Sequence, residues 1–147
     1  MTRAQIVRDP IDPQAVVDSV ADHSCGAVSL FLGTVREVNE GRRVTGIEYT
    51  AYESMATSEL TRIAQEAAER FAGIHLAVIH RIGTLALGDV SVAIAVAHAH
   101  RGPALDAGRY VIEELKRRVP IWKREHYADG TREWVNAGKV PAAEASR

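Results

Sequence analysis

The chain has 147 residues, of which 46% are hydrophobic and 25% are charged, as expected for one soluble globular domain spanning 1–147. Its 18 Lys and Arg residues nearly balance 19 Asp and Glu residues, and the formal net charge is -1. No overall charge therefore draws the protein to nucleic acid or to an acidic membrane, and any anion site must come from local clustering.

The cysteine content and the N-terminus predict a cytoplasmic protein. Cys25 is the only cysteine, so no internal disulfide can form. The first residues, "MTRAQIVRDP", lack the apolar run of a secretory signal, and no stretch approaches the roughly 18 to 20 apolar residues needed to span a bilayer. We expect a soluble chain in a reducing compartment.

The first half of the chain begins with a short helix and continues with strands. Asp12 and Pro13 are a suitable N-cap and first helical residue for "QAVVDSVAD". "AVSLFLGTV", residues 27–35, has the β-branched and aromatic content of a strand. After a turn at "NEGRR", "VTGIEYTAY" alternates apolar and polar residues and predicts a second strand.

A long amphipathic helix is predicted next, over "ESMATSELTRIAQEAAERFAG". Met55, Leu60, Ile63 and later apolar residues recur at helical spacing, and Gly73 is a natural C-terminal stop. The two ends of the chain, "DPIDPQ" and "AGKVPAAEASR", are expected to be loosely structured.

The second half predicts two strands and a final helix. "IHLAVIHRIG" and "VSVAIAVAHAH" are the strands, and the second alternates large apolar residues with alanines. "PALDAGRYVIEELKRRV" predicts a helix that lies across the alanine face, ends at Pro120 and buries Leu105, Ile112, Leu115 and Val119. These elements favour an α+β fold with a largely antiparallel or mixed sheet.

Cations cluster around the end of that helix, in "LKRRVPIWKREH". Arg117 and Arg118 are expected to be solvated and to complement the helix dipole. Lys116 and Lys123 flank Pro120 and a Trp-bearing turn, and they could point into one pocket walled by Ile121 and Trp122. Two ammonium groups there could bind phosphate, and their repulsion could lower the pKa of one lysine.

Two other segments offer anion-binding residues. His100 and Arg101 precede the N-terminus of the last helix, where backbone N–H groups favour a negative ligand. Arg36 follows the first strand in "GTVRE", and Gly33 would let a ligand approach the backbone. His98 and His100 could also bind zinc, but further ligands are not recognisable, so a hydrogen-bonded role for His98 is preferred and no metal site is expected.

The order "FLGTVRE", "IEYTAYESMA", "VIHRIGTLALGDVSVAIAVAHAHR" and "YVIEELKRRVPIWKRE", followed by "REWV", closely resembles the large, catalytic subunit of molybdopterin synthase. The resemblance covers about residues 26–136. It implies conversion of cyclic pyranopterin monophosphate to molybdopterin, with no further cofactor. The sulfur would come from the C-terminal Gly-Gly thiocarboxylate of a small ubiquitin-like subunit.

The same resemblance implies roles for individual residues. Lys116 and Lys123 would be catalytic. The substrate would be bound by Thr34, Val35, Arg36, His100, Arg101, Arg124 and Glu125. Thr34 and Val35 would act chiefly through their backbone, while Glu125 could orient a lysine or accept a proton. A surface ion pair is the alternative for Arg124 and Glu125.

The resemblance also implies a homodimer of this chain within a heterotetramer that has one small subunit at each end. The main alternative is a non-catalytic module that binds phosphate or nucleic acid with the same cations. Only 5% of the residues are aromatic and the charge is nearly balanced, so the chain lacks the stacking surface and the basic face of a nucleic-acid binder.

Overall fold

The computed structural model describes residues 1–135. Its elements in chain order are β1 (Thr2–Val7), α1 (Pro13–Val20), β2 (Ala27–Thr34), β3 (Val38–Asn39), β4 (Arg42–Ala51), α2 (Glu53–Arg70), β5 (His75–Arg81), β6 (Gly83–Ala86), β7 (Val90–His98), α3 (Arg101–Arg118), β8 (Ile121–Tyr127) and β9 (Arg132–Val135).

The strands form two sheets. The first has the order β1-β5-β7-β2 and is mixed, because β1 runs parallel to β5 while the other pairs are antiparallel. The second is antiparallel, with the order β3-β4-β8-β9 and with β6 also paired to β4. The predicted α+β fold with mixed and antiparallel sheets is confirmed.

Residues next to the predicted helices α1 and α2 determine where these helices begin or end. The Asp12 carboxylate accepts a hydrogen bond from the Gln14 N–H at 3.0 Å and caps α1, which begins at Pro13. Gly73, just after α2, has a φ of +89°, a conformation that L side chains rarely adopt. None of the described helices is long and apolar enough to cross a membrane.

The two faces of the first sheet carry different helices, and here one prediction was wrong. The alanine face of β7 packs on α1, whose Val16 and Val20 fill the space above the small side chains. Helix α3 lies on the opposite face with α2, against Val92, Ile94 and Val96. Two 18-residue helices cover the face that has more apolar surface to bury, and the short α1 covers the other.

The buried stripes of both long helices also differ from the prediction. Leu105 is 60% exposed and Met55 is 61% exposed. In α3 the small residues Ala104, Ala107 and Gly108 face the sheet, and the Ser29 hydroxyl donates a hydrogen bond to the Ala104 carbonyl at 2.7 Å. This close approach requires small side chains, so the buried face is rotated away from Leu105.

Strands appear where the sequence predicted none. β1 pairs in parallel with β5. Residues 9–12 of "DPIDPQ" connect β1 to α1, which begins at Pro13, and the C-terminal "AGKVPAAEASR" lies outside the described residues. The predicted turn at Trp122 is instead part of β8, in which Glu125 and Tyr127 are buried. The alternation of apolar and polar residues that indicates a strand is hard to recognise in β8, because most residues on both of its faces are polar.

Candidate active site

The active-site candidate lies where the C-terminal end of α3 meets the second sheet. A cleft of about 260 Å³ is lined by Tyr49, His80, Leu115, Lys116, Arg117, Arg118, Val119, Pro120, Ile121, Trp122, Lys123 and Val135. The predicted pocket with Ile121 and Trp122 in its wall is therefore present, and it contains both predicted lysines. Val119 and Pro120 connect the end of α3 to the start of β8, which brings a helix residue and a strand residue to one cleft.

A second, smaller cleft of about 130 Å³ adjoins the first. Its lining residues are Phe31, Gly33, Thr34, Arg36, Ile47, Tyr49, Ser91, Val92, Lys116, Lys123 and Glu125. Tyr49, Lys116 and Lys123 border both clefts, so the two clefts adjoin, and together they are called the active-site depression below. The structure thus brings Thr34, Arg36 and Glu125 together with the two lysines, as predicted.

Burial and charge act on Lys116 in the same direction. Although part of its surface is exposed, enough protein surrounds the ammonium group for desolvation to lower its pKa. The positive charge of Lys123 lowers the pKa of Lys116 further. The prediction that one lysine of the pair has a lowered pKa is confirmed for Lys116. A lowered pKa increases the fraction of neutral amine that can take up a proton near neutral pH.

Two aromatic side chains of the cleft, His80 and Tyr49, were not predicted from the sequence. His80 is 2% exposed, and burial lowers its pKa to about 4, with a smaller contribution from the charge of Lys116. Its neutral ring lies edge-on to Tyr49, with 5.2 Å between ring centroids. Burial raises the pKa of Tyr49, so this hydroxyl keeps its proton. Both residues lie on strands, and neither belongs to a sequence motif that would indicate a function.

A hydrogen-bonded chain connects Arg36 to the buried end of the site. The Arg36 guanidinium donates to the Asn39 side-chain oxygen at 3.2 Å, and the Asn39 amide donates to Glu125 at 2.6 Å. Glu125 also accepts from the Tyr127 hydroxyl at 3.0 Å and is only 3% exposed. The prediction of a surface ion pair for Glu125 was therefore wrong. This carboxylate lies in the wall of the smaller cleft and positions Asn39, which in turn binds Arg36.

Two predicted site residues have other environments. Val35 is in the core, and its backbone N–H and C=O bond to Asp89 and Gly88 at 3.0 and 2.8 Å, so both groups already have a partner within the fold. Arg124 lies on the other face of β8, where its Nε donates to the Glu48 carboxylate at 3.0 Å. The ion pair considered for Arg124 is present, and it is partly buried.

The two arginines after Lys116 differ from each other. Arg117 is exposed and pairs with Glu114, as the solvated-face interpretation predicts. Arg118 is only 22% exposed and contacts Glu59 and Glu66 of α2 as well as Glu114, at 2.7 to 3.1 Å. Its pKa is raised, chiefly by the hydrogen bond with Glu66. The prediction that Arg118 is solvated was wrong, because α2 and α3 pack side by side.

His100 and Arg101 lie far from the lysines. They border an open depression with Gly26, Ala27, Ala99, Gly102 and Pro103 at the N-terminus of α3. At about 1.5 Å of rise per residue, about 22 Å of helix separates Arg101 from Lys116. Within the described part of one chain, the predicted anion-binding residues therefore form two separate groups.

His98 does not have the free ring nitrogen with which it would bind zinc. His98 Nδ1 accepts the His100 N–H at 2.9 Å, and His98 Nε2 bonds to the Ala72 carbonyl at 3.1 Å. Both nitrogens of His98 are thus used within the fold, which confirms the hydrogen-bonded role predicted for it.

The sequence of this chain is similar to a family model and to sequences of known proteins. A family model described as MoaE protein matches residues 6–118. The molybdopterin synthase catalytic subunit of Halalkalibacterium halodurans is 46% identical over 133 residues, covering 90% of this chain and 85% of the relative. The subunit of the same name from Bacillus subtilis is 42% identical over 135 residues, covering 92% and 85%.

Solved structures give the same result. Molybdopterin synthase from Staphylococcus aureus superposes with a TM-score of 0.84 at 38% identity, covering 88% of this chain and 94% of that one. The MoaE protein of Burkholderia ambifaria gives 0.79 at 35% identity, with 92% and 89% covered. A complex of subunits 1 and 2 of the Helicobacter pylori molybdopterin-converting factor, at 20% identity, shares the fold. The chain belongs to the MoaE protein family, that of the molybdopterin synthase catalytic subunits of molybdenum cofactor biosynthesis.

Proposed function

We propose that this chain transfers sulfur to cyclic pyranopterin monophosphate to make molybdopterin, with Lys116 and Lys123 as the catalytic residues. The observation that carries the proposal is the depression in which both lysines, Arg36 and Tyr49 meet. Several positive groups in a partly enclosed site suit a phosphorylated substrate and an anionic sulfur donor.

The sulfur donor is a thiocarboxylate at the Gly-Gly terminus of a small ubiquitin-like partner. Each transfer forms a carbon–sulfur bond on the substrate and breaks the carbon–sulfur bond of the tail. In the net exchange each tail ends as a carboxylate, and its new oxygen comes either from the carbon that takes up the sulfur or from water that hydrolyses the bond between tail and sulfur. Negative charge develops on oxygen during this exchange, and cations beside it lower the barrier.

The two lysines have different tasks in this proposal. Lys116 is the proton acceptor and donor, because its pKa is lowered by burial and by Lys123. Lys123 stabilises the oxyanion together with Arg36, which the Asn39–Glu125 contact holds over the smaller cleft. Thr34 lines the cleft beside them. His80 is neutral, so it adds no competing positive charge.

We infer that the active site is completed by a second copy of the chain. His100 and Arg101 lie too far from Lys116 within one chain to hold the same small substrate. β2 is an edge strand of the first sheet and exposes Val28, Leu30 and Phe31, as a surface covered by another protomer does. A dimer that places His100 and Arg101 opposite the lysines would supply the phosphate site.

The assembly we propose is this homodimer with one small subunit at each end, in the cytoplasm. A Gly-Gly tail has no side chains that would block a narrow cleft, and its backbone could pair with a sheet edge. The Helicobacter pylori complex of two subunits is a precedent for such a partner on this fold.

The test is a reconstituted assay with the purified chain, cyclic pyranopterin monophosphate and a thiocarboxylated small subunit, with dithiolene-bearing molybdopterin as the readout. Lys123→Ala and Lys116→Ala should each reduce the rate by at least about 100-fold. Arg109→Ala is the matched control, since Arg109 is an exposed α3 cation paired with Glu113 and outside both clefts. Wild-type rates in both lysine variants would refute the assignment.

The alternative of a non-catalytic phosphate or nucleic-acid module finds no support in these relatives, which are named as catalytic subunits. The same assay separates it from the proposal: a module of that kind would bind the substrate and release it unchanged.

A further inference from the structure

Asp22, Cys25 and His75 form a cluster that the proposed chemistry does not use. One carboxylate oxygen, the thiol sulfur and one ring nitrogen all lie within 4.8 Å of one another. His75 Nε2 is 3.8 Å from Asp22 Oδ2, which is too long for a hydrogen bond between the two side chains. The contact between Asp22 and His75 is within ion-pair distance, and it does not involve Cys25.

The segment between α1 and β2 holds two of the three groups in place. The Cys25 N–H donates to the Asp22 carbonyl at 3.0 Å, which closes a turn. The Ser24 N–H and hydroxyl both donate to Asp22 Oδ1, at 2.8 and 2.5 Å. Because Oδ1 is occupied, Oδ2 is the oxygen that remains for another partner, and it is the one nearer His75.

Sheet pairing supplies the third group. His75 is the first residue of β5 and lies opposite Ala97 of β7, while β2 begins at Ala27 opposite the next residue, His98. The chain just before β2 is thereby brought to the start of β5. Cys25 also packs against the apolar cluster under α1, which restricts the position of its sulfur.

We propose that Asp22, Cys25 and His75 bind one divalent transition metal ion of the zinc class. Thiolate, imidazole and carboxylate are the ligand types that zinc takes in proteins, with bonds of about 2.0 to 2.3 Å. Side-chain adjustments of about 1 Å would bring the three atoms from their present spacing to one ion. Water fills the fourth position, and the Cys25 thiol releases its proton to solvent on binding.

Geometry separates this site from the catalytic cleft. His75 and His80 are five positions apart on β5, or about 17 Å at about 3.3 Å per residue, and His80 lines the cleft. The metal would tie the α1–β2 connection to the start of β5. Its role is to stabilise this end of the first sheet, because a ligand that binds only the folded state raises its stability.

Cobalt titration of the metal-free, tag-free full chain is the direct test. Cys25 is the only cysteine, so any thiolate-to-cobalt charge-transfer absorption must come from this site. We expect that band to saturate at one equivalent of cobalt and to disappear when zinc is added. Absence of the band in the folded protein would overturn the proposal.

Variants of Asp22 and His75 test whether all three residues bind the metal ion or the Cys25 thiolate binds it alone. Asp22→Asn and His75→Gln should each weaken cobalt binding by at least about ten-fold, and zinc should no longer raise their thermal midpoints. Asp129→Asn is the matched control. Asp129 accepts hydrogen bonds from the Thr131 N–H and hydroxyl, at 2.9 and 2.6 Å, as Asp22 does from Ser24, but it does not belong to the cluster with Cys25 and His75. Unchanged affinity in both site variants would leave only an adventitious thiolate complex and overturn the proposal.

Discussion

Lys123 of β8 lowers the pKa of Lys116 at the end of α3, across the depression that both residues border. Burial of Lys116 is the larger cause and the charge of Lys123 the smaller. The relationship exists because Pro120 turns the chain from helix to strand between them, so two lysines of one short segment face the same space.

Removing the charge of Lys123 should raise the pKa of Lys116. In a Lys123→Met variant the repulsion is gone but burial remains, so the pKa should rise and still stay below that of an ordinary lysine. The other lysine that this variant keeps is Lys139, so NMR titration of isotopically methylated lysines would give few signals to assign. An unchanged Lys116 pKa would mean that the two ammonium groups do not interact.

Complementation tests whether the site is shared between protomers. Lys123→Ala and Arg101→Ala homodimers should both be nearly inactive. A randomly mixed population should recover about a quarter of wild-type activity, because half of the dimers are mixed and each mixed dimer has one intact site. Recovery would be measured in the molybdopterin assay after co-expression. If all site residues acted within one chain, no activity would return on mixing.

His80 should make stability depend on pH. Its pKa falls from the ordinary 6.5 to about 4, so between these values the unfolded chain binds a proton that the folded chain does not. The free energy of unfolding should therefore decrease as pH falls through this window, by about 3 kcal/mol in total. Urea denaturation should show a flatter profile for His80→Asn. His100→Asn, at an exposed histidine, should keep the wild-type slope.

Arg118 should matter for stability more than its neighbour Arg117. Arg118→Met would remove the cation that Glu59, Glu66 and Glu114 share and should cost about 1 to 2 kcal/mol, less than a fully buried pair because solvent reaches the cluster. Arg117→Met should change the free energy of unfolding by no more than about 0.5 kcal/mol, since the Arg117 side chain, which pairs with Glu114, is 70% exposed. Equal losses in denaturant titrations of the two variants would contradict the structural difference between them.

Prediction from the sequence succeeded where the signal was local. The amphipathic pattern from Glu53 gave α2, and the alternation around Ile47 gave β4. It failed where the deciding contact was distant. Leu105 was expected inside, but the fit of Gly108 and Ala104 against β2 and β7 turned that face of α3 inward instead. β8 was missed because it is defined by its pairing with β4, which is far away in the sequence.

The sequence by itself determined the class of fold, the family resemblance and the two lysines beside Pro120, because helical and strand periods and the effect of proline act between near neighbours. Only the tertiary structure decided that Arg124 faces away from Lys123, that His100 and Arg101 lie at the other end of α3, and that Asp22, Cys25 and His75 meet. These outcomes depend on sheet register and helix packing, which join residues far apart in the chain and leave no pattern in any short stretch of it.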